Sequence, residues 1–222
     1  MNEFMQMFNQ VAPENVSMSV KLLLLLTVLS IAPSILIMMT CFTRIIIVLS
    51  FVRTSLGTQQ MPPNQILIGL ALFLTFFIMA PTFKEINDQA LQPLFSEKIS
   101  LEQAYERASV PIKEFMSKHT RQKDLALFLS YSGAEKPKSV QDIPLTTLVP
   151  AFAISEIKTA FQMGFMIFIP FLVIDMIVAS VLMSMGMMML PPVMISLPFK
   201  ILLFVLVDGW YLVVKSLLES FQ

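Results

Sequence analysis

Few side chains in this chain could do chemistry, and the densest group of them carries sulfur. Met183, Met185, Met187, Met188 and Met189 fall within ten residues, with Gly186 among them and Pro191-Pro192 closing the stretch. Thioethers offer soft, unbranched, polarizable packing around surfaces of changing shape, which rigid Leu or Ile side chains do poorly. The glycine lets the backbone turn, and the Pro-Pro pair ends one helix and prepares the next. The stretch therefore reads as a flexible loop between two helices. Either a ring of such loops closes softly around something that passes, or the methionines are lipid-facing or core filler.

The second candidate is electrostatic. Asp175 and Lys200 stand inside long apolar runs, where a charge is costly and tends to face protein or water. Twelve residues separate Asp175 from Met187, and twelve separate Met188 from Lys200. If the chain folds back at the Met loop, the two charges reach the same depth on opposite arms. An ion pair there would be expensive to leave half made and would fix the hairpin that aims the loop. In the other reading, Lys200 snorkels to an interface.

Other chemistry is poorly supplied. Cys41 is the only cysteine and lies in an apolar run, as a packing residue would. His119 is the only histidine and sits among Lys118, Thr120 and Arg121, the setting of a solvated surface residue. No His-Glu-x-x-His, no Gly-x-Ser-x-Gly and no phosphate-cradling glycine loop occurs, and six glycines could hardly build one. The expectation is a chain that is not an enzyme and takes no cofactor or metal. Fifteen basic residues balance fifteen acidic ones, so nothing in the bulk charge would attract nucleic acid.

The elements that position these residues are apolar helices. With 56% hydrophobic and 14% charged residues, and a mean hydropathy of +0.76, the chain reads as an all-α integral membrane protein. Residues 1–19 form a polar leader, mildly acidic and unlike the basic opening of a signal peptide, and the expectation is that it stays attached. Residues 20–83 form a first hydrophobic helical hairpin. Its first arm, Leu22–Thr43, is uncharged, long enough for the hydrocarbon of a bilayer, and predicted to kink or break at Pro33. Arg44 and Arg53 then suggest a cytoplasmic flank, and Pro62-Pro63 open the second arm, Ile66–Phe83.

Residues 84–150 differ in kind, with nine basic and nine acidic residues between Lys84 and Asp142. They form a small soluble helical insert. Ser100 and Gln103 resemble a capping box that opens a helix interrupted at Pro111, and a second helix is predicted from Thr120 to before Gly133. Phe115 and Phe128 stand out as apolar positions in this charged module, either as a private mini-core or as a docking surface for another subunit. Residues 151–222 form the second hydrophobic hairpin, broken by the Met-rich loop 183–192.

Taken together, several stretches resemble the family that holds the flagellar FliP proteins and the SctR proteins of virulence type III secretion. They are Arg-Ile-Ile-Ile-Val-Leu-Ser (44–50), Gln-Met-Pro-Pro-Asn-Gln (60–65), Leu-Ala-Leu-Phe-Leu-Thr-Phe-Phe-Ile-Met (70–79) and Pro-Ala-Phe-Ala-Ile-Ser-Glu (150–156). Ile-Pro-Phe-Leu-Val-Ile-Asp (169–175), the Met loop and Leu-Leu-Phe-Val-Leu-Val-Asp-Gly-Trp (202–210) complete the resemblance, and the prolines at 62–63 and 191–192 look like the flagellar branch.

The resemblance implies a core subunit of the flagellar type III protein export gate, in the inner membrane at the basal body. It implies five copies assembled with the FliQ and FliR proteins and other membrane components of the export apparatus, passing unfolded flagellar proteins. It also implies broken hairpins rather than plain crossings, and an insert outside the cytoplasm. Met185, Met187, Met188 and Met189 would form a gasket around the export path, with Asp175 and Lys200 beside it. Phe115, Phe128 and Glu156 would fall at subunit contacts. The competing expectation, from the residues alone, is a secondary transporter with helix breaks at Pro33, Pro170 and Pro191 and a relay through Asp175, Lys200 and Asp208.

Overall fold

A computed structural model describes residues 13–58, 60–132, 137, 139–187 and 189–221. Among these residues every regular element is helical. In order they are α1 (Pro13–Met39), α2 (Phe42–Ser55), α3 (Asn64–Ile86), a π-helical turn (Asn87–Leu91), α4 (Gln92–Phe95), α5 (Leu101–His119), α6 (Gln122–Ser132), α7 (Leu145–Ser184), α8 (Pro192–Leu206) and α9 (Gly209–Glu219). Asn64–Phe95 and Leu145–Ser184 are each long and apolar enough to cross a membrane. Two bent pairs, 33–55 and 192–219, bring the number of such spans to four if each pair counts as one. The protein is an all-α membrane protein.

The chain divides into two compact units, residues 1–37 and 38–222. The described residues of the first lie in α1, with Leu22, Leu23, Leu26 and Leu29 exposed. Where the sequence predicts a kink or a break at Pro33, no break occurs: α1 continues through that residue and ends six residues later at Met39. In an apolar setting each broken backbone bond is costly, so the helix gives up the one donor that proline lacks and keeps the rest. The same holds for Pro81, Pro150, Pro170 and Pro198, each of which lies within a helix.

In the second unit, α2 is the centre. Cys41 at its N-cap, then Ile45, Val48, Leu49 and Val52, recur at helical spacing and are fully buried. This stripe packs on α7 and α3. On α3 the buried set is Leu67, Ala71, Thr75 and Met79, again one face. On α7 it includes Ala151, Ser155, Ala160 and Gly164, small residues that let the backbones approach closely. A Cβ on Gly164 would lie 2.4 Å from Cγ of Phe51, so only glycine fits under that ring. Beyond Gly164 the buried positions of α7 thin to Phe171 and Leu182, and Phe165, Met166, Ile177 and Met183 are exposed.

The insert packs against the start of α7. Met116 and Ile143 form a small core with Leu148 and Phe152, with Phe115 and Leu125 against it. The capping box opens α5: Gln103 N–H donates to the Ser100 hydroxyl at 3.3 Å, and Ser100 N–H to the Gln103 amide oxygen at 3.2 Å. Pro111, predicted to interrupt α5, is buried inside it. The second insert helix starts at Gln122 and not at Thr120, because Thr120 ends α5 with its hydroxyl donating back to the Met116 carbonyl at 2.7 Å.

Candidate functional site

The Met loop hangs from a closed helix end. After Ser184, Gly186 takes φ +72°, its N–H reaches the Met183 carbonyl at 3.0 Å, and Met187 N–H reaches the Leu182 carbonyl at 3.0 Å. This paired 5→2 and 6→1 pattern is the Schellman termination, and it needs a residue that tolerates the left-handed region at Gly186. Met185 and Met187 are exposed, and Met189 is 98% exposed. Met188 lies outside the described residues. Behind the loop an apolar cavity of about 440 Å³ opens between α7 and α8, lined by Ile174, Ile177, Val181, Met185, Ile195 and Phe199.

Asp175 on α7 and Lys200 on α8 meet one layer below. Lys200 Nζ donates to Asp175 Oδ2 at 2.6 Å and to the Ser55 carbonyl, at the last residue of α2, at 3.2 Å. The Ser196 hydroxyl donates to the other Asp175 oxygen. Lys200 is 2% exposed, so its charge is held inside the chain and does not snorkel. A cation at a helix C-terminus also meets the negative end of the backbone dipole. One ammonium thus ties three helices together, roughly two turns along α7 and α8 from the loop.

A second ion pair closes the opposite part of the unit. Arg44 on α2 and Glu156 on α7 are both buried, with Arg44 Nε donating to Glu156 Oε2 at 3.0 Å and Nη2 to Oε1. Such a two-pronged pair is the geometry in which a guanidinium holds a carboxylate best. The remaining nitrogen, Nη1, donates to the Ser220 carbonyl and hydroxyl, each at 3.0 Å, and the guanidinium carbon stands 3.8 Å above the Phe221 ring. Arg44 is therefore neutralised inside the protein and is no solvated flank of the kind that marks a cytoplasmic side.

Phe221 belongs to an aromatic cluster. Its ring stacks on Phe115 at 6.4 Å and meets His119 edge-on at 5.2 Å, while His119 lies 4.9 Å from Phe115. His119, read from its neighbours as a solvated residue, is part-buried here, because α5 turns it inward onto the end of α9. Burial lowers its pKa to about 4, helped by the charges of Arg44 and Lys118. Phe128 is half-buried on α6. Nearby, the Ser155 hydroxyl donates to Asp124 at 2.7 Å. Burial would raise the Asp124 carboxyl, yet the Ser155 and Arg121 hydrogen bonds hold it below the usual value.

The structure thus brings Asp175 to Lys200 and leaves Met185, Met187 and Met189 open, while Glu156 is enclosed. Ser55, Ser196, Ser220 and Phe221 escaped the reading of the sequence, and Arg44 entered it only as a flanking charge and at the head of a family stretch. Arg44 carried a signal, since it is a lone charge with apolar residues following for a full turn and more. The others act through a backbone carbonyl, a hydroxyl or a ring and carried none.

Comparison with known proteins follows the same residues. The profile of the FliP family matches residues 25–217. A flagellar biosynthetic protein FliP of Bacillus subtilis (strain 168) is 79% identical over 221 residues, covering 100% of both chains. The protein of that name from Caulobacter vibrioides is 57% identical over 91% of this chain and 76% of its own, and that from Aquifex aeolicus 53% over 96% and 90%. With a profile across most of the chain and a relative 79% identical over its whole length, the chain belongs to the FliP family of flagellar biosynthetic proteins.

Proposed function

We propose that the chain is a core, channel-forming subunit of the flagellar type III export gate, and that its Met loop seals the path taken by unfolded flagellar proteins. The observation that carries this reading is the contrast between loop and support. Exposed thioethers project from a helix end closed by its own hydrogen bonds, over a buried three-helix tie at Lys200. Soft side chains on a fixed frame suit a seal that must deform without the frame moving.

In this reading the subunit sits in the inner membrane at the basal body, in five copies with FliQ and FliR and the other membrane components of the apparatus, and performs no catalysis. Exposed apolar side chains along α3, α7 and α8 supply surface for lipid and for neighbouring subunits. Glu156, enclosed behind Arg44, would act on a subunit contact through that arginine and the α9 end. A transporter reading has less support, because α7 passes Pro170 as one unbroken helix and the break that such a site would use is absent there.

The test is a triple variant, Met187→Ala, Met188→Ala and Met189→Ala, in a motile cell, with ion leakage and flagellar secretion measured together. Raised leakage from an assembled complex supports the seal. Unchanged assembly, secretion and leakage would show the methionines to be filler.

A further inference from the structure

The cluster at the end of α9 carries an inference of its own. Phe221 is 8% exposed, and three side chains from two other helices close on it: Arg44 over its face, Phe115 stacked on it, and His119 in a T-shaped contact. The backbone carbonyl just before it is held by the same Arg44. One arginine and one imidazole therefore share a single ring. We propose that His119, Arg44 and Phe221 form a proton-sensitive clasp, which holds the end of α9 against α2 and α5 while His119 is neutral and releases it when His119 gains a proton.

Among the described residues, no carboxylate is paired with His119 that could hold a protonated imidazole. The Arg44 guanidinium already stands 3.8 Å over the Phe221 ring, and the His119 ring meets it at 5.2 Å with the planes 71° apart, so a proton on the imidazole would set a second cation against one ring and beside Arg44. Glu156 is the carboxylate on the helix packed behind Arg44, and both its oxygens are engaged by Arg44. Lys118, on the same helix as His119, adds a second positive charge. Lys215 and Glu219 on α9 are exposed and pair with each other at 3.8 Å. A new charge at His119 thus meets Arg44 and Lys118, with the neighbouring carboxylates committed elsewhere, and the cheapest relief is to part the rings.

The full chain, reconstituted in lipid nanodiscs, can report this through a nitroxide placed by Glu219→Cys, two residues before Phe221 and on an exposed position. Cys41 is fully buried, and a sample without the new cysteine checks that it takes no label. Label mobility is expected to rise as pH falls, with a midpoint between the 6.5 of a free imidazole and about 4. His119→Phe keeps an aromatic ring that cannot take a proton, and it is expected to abolish the rise. His119→Gln, a smaller neutral replacement, should do the same and guards against a packing artefact in the first variant. A rise that persists in both variants, or a flat titration of the unaltered chain to below pH 4, overturns the proposal.

Discussion

Replacing Asp175 with Asn and Lys200 with Met should not cost the same, although each removes one half of one ion pair. In Asp175→Asn the Lys200 ammonium stays 3% exposed and keeps only the Ser55 carbonyl and an uncharged amide. Leaving a buried charge uncompensated costs about 3–5 kcal/mol. In Lys200→Met the Asp175 carboxylate retains the Ser196 hydroxyl, and 26% of its side chain remains open. Methionine is one atom shorter than lysine and apolar, and would lie beside Val193 and Leu197, which flank the same spot near Gly57. The expected loss is then about 1–3 kcal/mol, the range for an acceptor that loses one partner. Unfolding of the purified chain by SDS titration measures both. Equal losses, or a larger one for Lys200→Met, would refute the reasoning that burial of the ammonium sets the asymmetry. The double exchange, Asp175→Lys with Lys200→Asp, should recover only part of the loss, because it turns a carboxylate toward the Ser55 carbonyl, acceptor against acceptor.

Three further outcomes are expected. Gly164→Ala drives a Cβ to 2.4 Å from the Phe51 ring and should cost about 1–3 kcal/mol, with Phe51→Ala restoring part of it in the same SDS titration. Gly186→Ala meets open space but keeps φ +72°, so it should cost about 1–2 kcal/mol from backbone strain alone, and Gly186→Asn less; equal behaviour of the two would point away from the left-handed turn. For His119 the sign follows from its lowered value: the unfolded chain binds the proton first, so stability is full above about 6.5 and declines as pH falls toward 4. Thermal melts across that window should slope in the unaltered chain and flatten in His119→Gln.

What could be read from the sequence was whatever repeats or stands out against its surroundings. Apolar stripes at helical spacing, the uncharged runs and the capping box at Ser100 all have short-range causes, and the helices follow them. The equal twelve-residue arms put Asp175 and Lys200 at one depth on paper, and in the folded chain Nζ and Oδ2 lie 2.6 Å apart. No helix breaks at Pro33, Pro111 or Pro170, because losing the single donor that proline lacks costs less than ending the helix there. His119 misled because its sequence neighbours are charged, but its spatial neighbours come from residues 44 and 221, far along the chain in either direction. Long-range partners of that kind leave no local mark.

The length of α7 carries one more consequence. Its 40 residues make a rod of about 60 Å at 1.5 Å per residue, roughly twice the hydrocarbon depth of a bilayer, and no ordinary tilt absorbs the difference. Yet its apolar side chains are bare along most of that length, with Ile154 and Phe161 exposed near one end and Val181 and Met183 near the other. Lipid can clothe only about half of it. The remainder has to be clothed by protein, so an isolated chain is an incomplete solubility problem rather than a finished fold. In the proposed assembly, its persistence in a cell should rise with the supply of its neighbours.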